Sequence, residues 1–271
     1  QAYGEALAIS SGYYQRYASP HHAQWTWQTK AHCSVLVDGE GQVTRSPLAR
    51  GRIVAFDNQE DYCYAVGDAA EAYGGRLQRF LRRVLFLRPD VFVICDELQA
   101  REPAGYQWLL HARSPMLLDE PTRRVTISQG QARLVTTLLA PAELKFAQSE
   151  GFPVPPERPD SPTQYHFTAD TVSKSAETTF LAVLATCRAG TETQVPTATL
   201  LPSEGGWALR LQRGGEDTTV LWRRTGAEAV RAGDLTSRAE VSVVTRAADG
   251  GVRAVYSYGA GEVSQASRPL R

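Results

Sequence analysis

The chain lacks an excess of either charge. Its 271 residues carry 29 Lys and Arg against 29 Asp and Glu, so no global field draws it to nucleic acid or to an anionic membrane. Any anionic ligand must then be met by a local group of basic side chains. No apolar run reaches the length of a membrane-spanning helix. The four cysteines, Cys33, Cys63, Cys95 and Cys187, are spaced too widely for a zinc ribbon or a Cys-x-x-Cys pair. A small disulfide scaffold is excluded by the chain's length, and each cysteine reads as a buried apolar residue. A glycine-rich nucleotide loop and internal repeats are missing. So are the basic start and apolar stretch of a signal peptide. There is no initiator Met, and the opening QAYGEALAIS reads as the continuation of a longer polypeptide.

What is present suits a large core. Hydrophobic residues make up 42%, and all-β sandwiches reach this length as one domain. Turn signals punctuate β-branched and aromatic runs at short intervals. The spacing predicts strands around Leu7 and Ile9, over Ser34–Val37, Arg52–Phe56 and Tyr62–Val66, with a turn at Asp38-Gly39. Arg88-Pro89-Asp90 predicts a hairpin, since proline presets the turn and aspartate caps it. Imperfect alternation before it leaves a short helix at Gly75–Arg82 open. Further hairpins are expected at Ser128-Gln129-Gly130, Gly214-Gly215 and Asp249-Gly250-Gly251. Without long segments of helical period, the expected fold is all-β: antiparallel sheets packed as a sandwich, with little helix. A proline-rich stretch at 151–162 reads as a surface loop of polyproline character, and residues 1–271 as one domain.

The unusual chemistry is concentrated in Ser11–Gln42, SGYYQRYASPHHAQWTWQTKAHCSVLVDGEGQ. It holds His21, His22 and His32 out of five histidines, together with Tyr13, Tyr14, Tyr17, Trp25 and Trp27. Such a stretch is poor core material and good material for a carbohydrate or metal site. Aromatic faces suit the apolar faces of sugar rings, although Trp25 and Trp27 at a spacing of two also suit a packed strand face. The expectation is one tryptophan buried and one beside a cleft. His21 and His22 follow the breaker Ser19-Pro20 in a loop, where each can serve as a proton donor or stand as an exposed pair. Arg79, Arg82, Arg83 and Arg88 form a basic group whose forks suit carboxylates or sulfates. A solvated face paired with Asp68 and Glu71 is the alternative. His111 and His166 lie in strand-like runs and read as structural.

The residues also carry a resemblance. AYGEALAISSGYY and SPHHAQWTWQTKAHCSVLVDGEGQ, then Gly67-Asp68-Ala69-Ala70 with Tyr73, Arg79-Phe80-Leu81-Arg82-Arg83, LRPDVFVICDEL and YQWLLHA, together resemble the carboxy-terminal region of heparinase II/III-like proteins. The likeness covers Ala2–Ala112. It implies a polysaccharide lyase that cleaves uronate-containing glycans such as heparan sulfate, other glycosaminoglycans or alginate by β-elimination. It implies a β-supersandwich preceded by an α/α toroid that would lie upstream of Gln1, with the cleft between them. It also implies a periplasmic or secreted location. Under it, His21 and His22 are candidate catalytic residues, and Tyr13, Tyr14, Tyr17, Trp25, Trp27, Arg79 and Arg82 are candidate substrate contacts. His32 falls where the family has a zinc ligand, which makes a structural zinc the implied cofactor. Cys33 replaces the family's Asn, however, and Ser10 and Ser11 stand around the expected aspartate, so few ligands survive. A non-catalytic carbohydrate-binding or scaffold module on the same fold is the alternative function.

Overall fold

The computed structural model describes residues 1–270. Where the sequence suggests one domain over 1–271, the strands gather into two compact units, Gln1–Glu192 and Thr193–Arg271. The proline-rich stretch is no boundary, since it lies inside the first unit.

The first unit contains β1 (Val35–Val37), β2 (Arg52–Asn58), β3 (Tyr62–Asp68), β4 (Leu77–Leu87), β5 (Val91–Ala104) and β6 (Tyr106–Ala112). It continues with β7 (Met116–Asp119), β8 (Arg124–Gln129), β9 (Ala132–Ala140), β10 (Leu144–Glu150), β11 (Tyr165–Thr171) and β12 (Ser175–Arg188). An antiparallel sheet of eight strands runs β2-β3-β4-β5-β12-β9-β8-β7, and one of four runs β1-β6-β11-β10. Alternate residues of the two sheets meet in one core: Phe80, Leu98, Ile127 and Phe180 from the large sheet, Val35, Trp108, Leu110 and Phe167 from the small one. Each large side chain removed from water there contributes about 1.5–3 kcal/mol. This is the expected sandwich, with helix confined to short turns among the described residues.

The Arg88-Pro89-Asp90 hairpin forms as read, joining β4 to β5 with Val84 opposite Ile94. The open helix at Gly75–Arg82 resolves as strand, because β4 begins at Leu77 and buries Leu77 and Phe80 in the core. The strand expected at Leu7 and Ile9 does not form. Leu7 is buried, but Ile9 N–H donates to His111 O at 3.1 Å and Ser11 N–H to Ala31 O at 2.7 Å. The segment is tied by single bonds to two different partners and so joins no ladder.

The second unit has a sheet of five strands, Thr197–Leu201, Gly206–Arg213, Glu216–Arg223, Val241–Arg246 and Val252–Tyr258, and a smaller one of four. Ala208, Leu221, Val230, Leu235, Val244 and Val263 form its core. The hairpins expected at Gly214-Gly215 and Asp249-Gly250-Gly251 close two of its strand pairs.

Candidate functional site

Ser19-Pro20 starts a helical turn in place of the expected loop. Ser19 Oγ accepts the His22 N–H at 3.2 Å, and Ala23 N–H donates to Ser19 O at 2.8 Å. Serine at the cap with proline in the first position is the arrangement that leaves the fewest orphan donors. The turn widens to a π-turn over His22–Thr26, with Trp27 N–H donating to His22 O at 3.0 Å. Gly12 makes room for it: at φ +96° a side chain there would collide with Trp25 and Thr26.

The turn buries both adjacent histidines and fixes their protons. His21 Nε2 accepts from Tyr13 N–H at 3.1 Å, while Nδ1 lies 2.6 Å from Val154 O. An amide can only donate and a carbonyl can only accept, so His21 is neutral with its proton on Nδ1. His22 Nδ1 accepts from Ala18 N–H at 2.9 Å, which leaves its proton on Nε2. Its ring packs 4.6 Å from Tyr14 and 4.2 Å from Trp27. Of the two alternatives, the exposed pair does not form, and as a proton donor His21 has no ring nitrogen free for a substrate.

The proline-rich stretch is a strap across this turn. Tyr13 OH donates to Pro162 O at 2.8 Å, Arg158 N–H to Gln15 Oε1 at 2.8 Å, and Gln15 Nε2 to Ser161 Oγ at 2.8 Å. Gln164 Oε1 accepts from Ser11 Oγ at 3.0 Å and Gly12 N–H at 2.8 Å. Phe152 lies against Tyr13, His21 and Trp25. Under the strap, His111 and His166 sit opposite one another on β6 and β11, on the face turned away from Trp108 and Phe167. Their Nδ1 atoms are 3.1 Å apart, and His166 Nε2 donates to Gly151 O at 2.7 Å. His166 Nδ1 therefore accepts the His111 proton, and both rings are neutral. Burial, with His166 alongside, pushes the His111 pKa down to about 3, and burial lowers His166 as well. Both are structural, as expected.

Beside the turn lies a cleft of about 450 Å³, lined by Trp27, Thr29, His32, Cys33, Ser34, Gln42, Val43, Thr44, Arg45 and Arg82. Trp25 is buried, with its indole N–H on Ser11 Oγ at 3.1 Å, whereas Trp27 is half-buried and lines the cleft. Tyr14 and Tyr17 are exposed, Tyr14 against His22 and Tyr17 edge to face with Trp27. Arg45, outside the basic group expected from the sequence, sets its guanidinium carbon 3.7 Å from the Trp27 ring centre and 5.8 Å from that of Tyr17. Nothing in the local sequence marks it, because the stack depends on the path of the 42–46 loop.

The arginine group of the sequence does not assemble. Arg82 forms a bidentate pair with the fully buried Asp96, at 2.7 and 2.8 Å, and donates to Cys33 O at 2.5 Å. Asp96 also accepts from the Trp108 indole at 3.2 Å. Arg82 is thus a strut with its charge neutralised. Arg79 lies three residues away and so on the opposite face of β4, where Arg83 pairs with Glu97 at 2.9 Å. Arg88 is held at the hairpin end by Gln59 O and Asn58. Glu71 pairs with Arg52, and Asp68 caps the Ala70 N–H, so neither meets the group expected.

His32 reaches the cleft wall with both nitrogens engaged. Nε2 donates to Thr26 O at 3.1 Å, and Nδ1 lies 3.1 Å from Ser10 Oγ. Zinc bound by imidazole needs a bare nitrogen and further charged or sulfur ligands. Among the described residues no three of His, Cys, Asp and Glu converge, so this donor set does not fit the ion.

Residues 1–249 match the family described as heparinase II/III-like, C-terminal. Similar solved folds include heparan sulfate lyase HepC from Pedobacter heparinus, at 17% identity and TM-score 0.63 over 81% of this chain and 35% of that one. The heparinase III BT4657 gene product gives 14% and 0.64, over 82% and 34%. A further heparinase III gives 16% and 0.63, over 82% and 34%. The chain spans about a third of the length of these neighbours. No curated protein matches.

Proposed function

The chain belongs to the heparinase II/III-like family as its C-terminal domain, and on that premise we propose that it forms the β-sandwich wall of a polysaccharide lyase cleft. The substrate is a uronate-containing glycan, such as heparan sulfate, another glycosaminoglycan or alginate, met in the periplasm or outside the cell and cleaved by β-elimination. The observation that carries this reading is the lining of the cleft. Trp27, His32, Arg45 and Arg82 face it, and no carboxylate does, which suits an acidic sugar and opposes a cationic one.

β-Elimination requires a base at C5, an acid at the leaving oxygen and neutralisation of the uronate carboxylate, all within hydrogen-bond reach. Each positioned acid or base contributes typically ~10²–10⁴-fold. His21 Nε2 and His22 Nδ1 are held as acceptors by main-chain amides, so protonating either sets two donors against each other. The proton transfers then fall to an α/α toroid upstream in the longer protein. The same commitment of His21 and His22 favours a second reading, a non-catalytic glycan-binding module on this fold.

The test measures the ultraviolet absorbance of unsaturated uronate with heparan sulfate, hyaluronan and alginate. Residues 1–271 alone should bind acidic oligosaccharides and release no product, while a polypeptide carrying the upstream region should turn over. Absence of turnover from that longer polypeptide supports the binding module. Turnover by residues 1–271 alone, lost on His21→Ala or His22→Ala, would overturn the division of labour.

A further inference from the structure

We propose that Arg45, stacked on Trp27, is the residue that reads the anionic group of the bound glycan, a role that rests on the cleft being an acidic-sugar site. The argument begins with charge. Two cations line the cleft, Arg45 and Arg82. Arg82 spends its fork on Asp96 and a third donor on Cys33 O, so its charge is cancelled from inside. Arg45 has no carboxylate partner among the described residues, is exposed, and shares the lining with no acid. The net positive charge of the cleft is therefore that of Arg45.

Geometry makes that charge directional. The guanidinium carbon lies 3.7 Å from the Trp27 ring centre, with the Tyr17 ring at 5.8 Å and those two rings packed edge to face at 5.6 Å. A guanidinium over an aromatic face keeps its N–H groups free at its edge, and that planar fork matches a carboxylate or sulfate in two hydrogen bonds. The stack also fixes a long side chain that would otherwise lose its rotamer freedom on binding. The backbone supports the same role. Arg45 sits at φ +55°, a left-handed conformation that side chains other than Gly, Asn and Asp seldom adopt. Held conformations of this kind gather at ligand clamps. Trp27, backed by His22 on its other face, holds the guanidinium in place while Arg45 takes the oxyanion of the sugar.

The ligand chemistry is an oxyanion on a sugar, from either a uronate carboxylate or a sulfate. Calorimetry of the 1–271 chain with size-defined oligosaccharides separates the two. The ligands are sulfated heparan sulfate, its unsulfated counterpart, the unsulfated form with reduced carboxyls, and a neutral oligosaccharide. Arg45→Asn removes the fork while accepting the left-handed turn, and Arg45→Lys keeps the charge without the fork. Thermal melting confirms that both variants are folded. The expected result is about tenfold to a hundredfold weaker acidic binding for Arg45→Asn, partial recovery for Arg45→Lys, and no effect on the neutral ligand. Loss on carboxyl reduction assigns the fork to the uronate, and loss on desulfation alone assigns it to sulfate. Wild-type binding that Arg45→Asn leaves unchanged would overturn the role of Arg45 and spare the acidic-glycan reading. A wild type that prefers the neutral ligand, or binds none of the acidic ones, would overturn both.

Discussion

Replacing His111 by phenylalanine should flatten the loss of stability that the first unit suffers between about pH 7 and pH 5. The ring is 1% exposed and donates to His166. Burial, then the neighbouring His166, holds its pKa at about 3 against an ordinary 6.5. Above pH 6.5 the ring is neutral in both the folded and the unfolded chain and contributes nothing to the pH dependence. As the pH falls through 6.5 the unfolded chain takes the proton and the folded one refuses it, so stability is lost progressively down to the folded pKa. At pH 5 the gap is about 1.5 units, which at about 1.36 kcal/mol each makes about 2 kcal/mol. His166, also lowered by burial, acts in the same direction. Urea-dependent hydrogen exchange of peptides covering Tyr106–Ala112 and Tyr165–Thr171 reads the first unit apart from the second. Comparing the change from pH 7 to pH 5 in wild type and variant cancels the carboxylates common to both. An equal change in the two proteins would show that His111 takes its proton in the folded state and would refute the neutral buried ring.

Three further outcomes follow from the same geometry. Asp96→Ala strands the Arg82 fork and the Trp108 indole in the interior and should cost about 3–5 kcal/mol, visible as a lowered melting temperature. His21→Ala frees the Tyr13 amide and Val154 carbonyl, costing about 1–3 kcal/mol, and should speed limited proteolysis within residues 151–162; an unchanged cleavage rate there would separate strap from turn. Zinc should be substoichiometric by elemental analysis after dialysis and unaffected by His32→Ala, whereas a full equivalent lost in that variant would show a shell completed by residues not counted above.

The fold was legible where the local signal and the tertiary partner agree. Arg88-Pro89-Asp90 carries its own turn chemistry, and the strands on either side are each other's partners. The failed strand at Leu7 and Ile9 has apolar residues at the right spacing, but its bonding partners, His111 and Ala31, belong to different elements. In the candidate site, the expectation of one tryptophan buried and one beside a cleft matches the structure. The roles did not follow, because they are set at a distance. The proton of His21 is fixed by Val154, and the charge of Arg82 is cancelled by Asp96. Strand parity alone would have parted Arg79 from Arg82. Ser19-Pro20 suits a helix start as well as a break, and the main-chain bonds of the turn decide for the former.

Ser11 meets Gln164 across 153 residues, and His21 meets Val154 across 133. Contacts of such sequence separation form slowly, since loop closure has to be completed before they return anything. Made from its amino end, a nascent chain displays Tyr13, His21 and Trp25 well before the strap that covers them has been synthesised. The cover over the aromatic turn is therefore expected to form late, after the chain has passed residue 164. A chain stalled short of residue 164 would carry that surface uncovered, a natural handle for chaperones and a seed for aggregation.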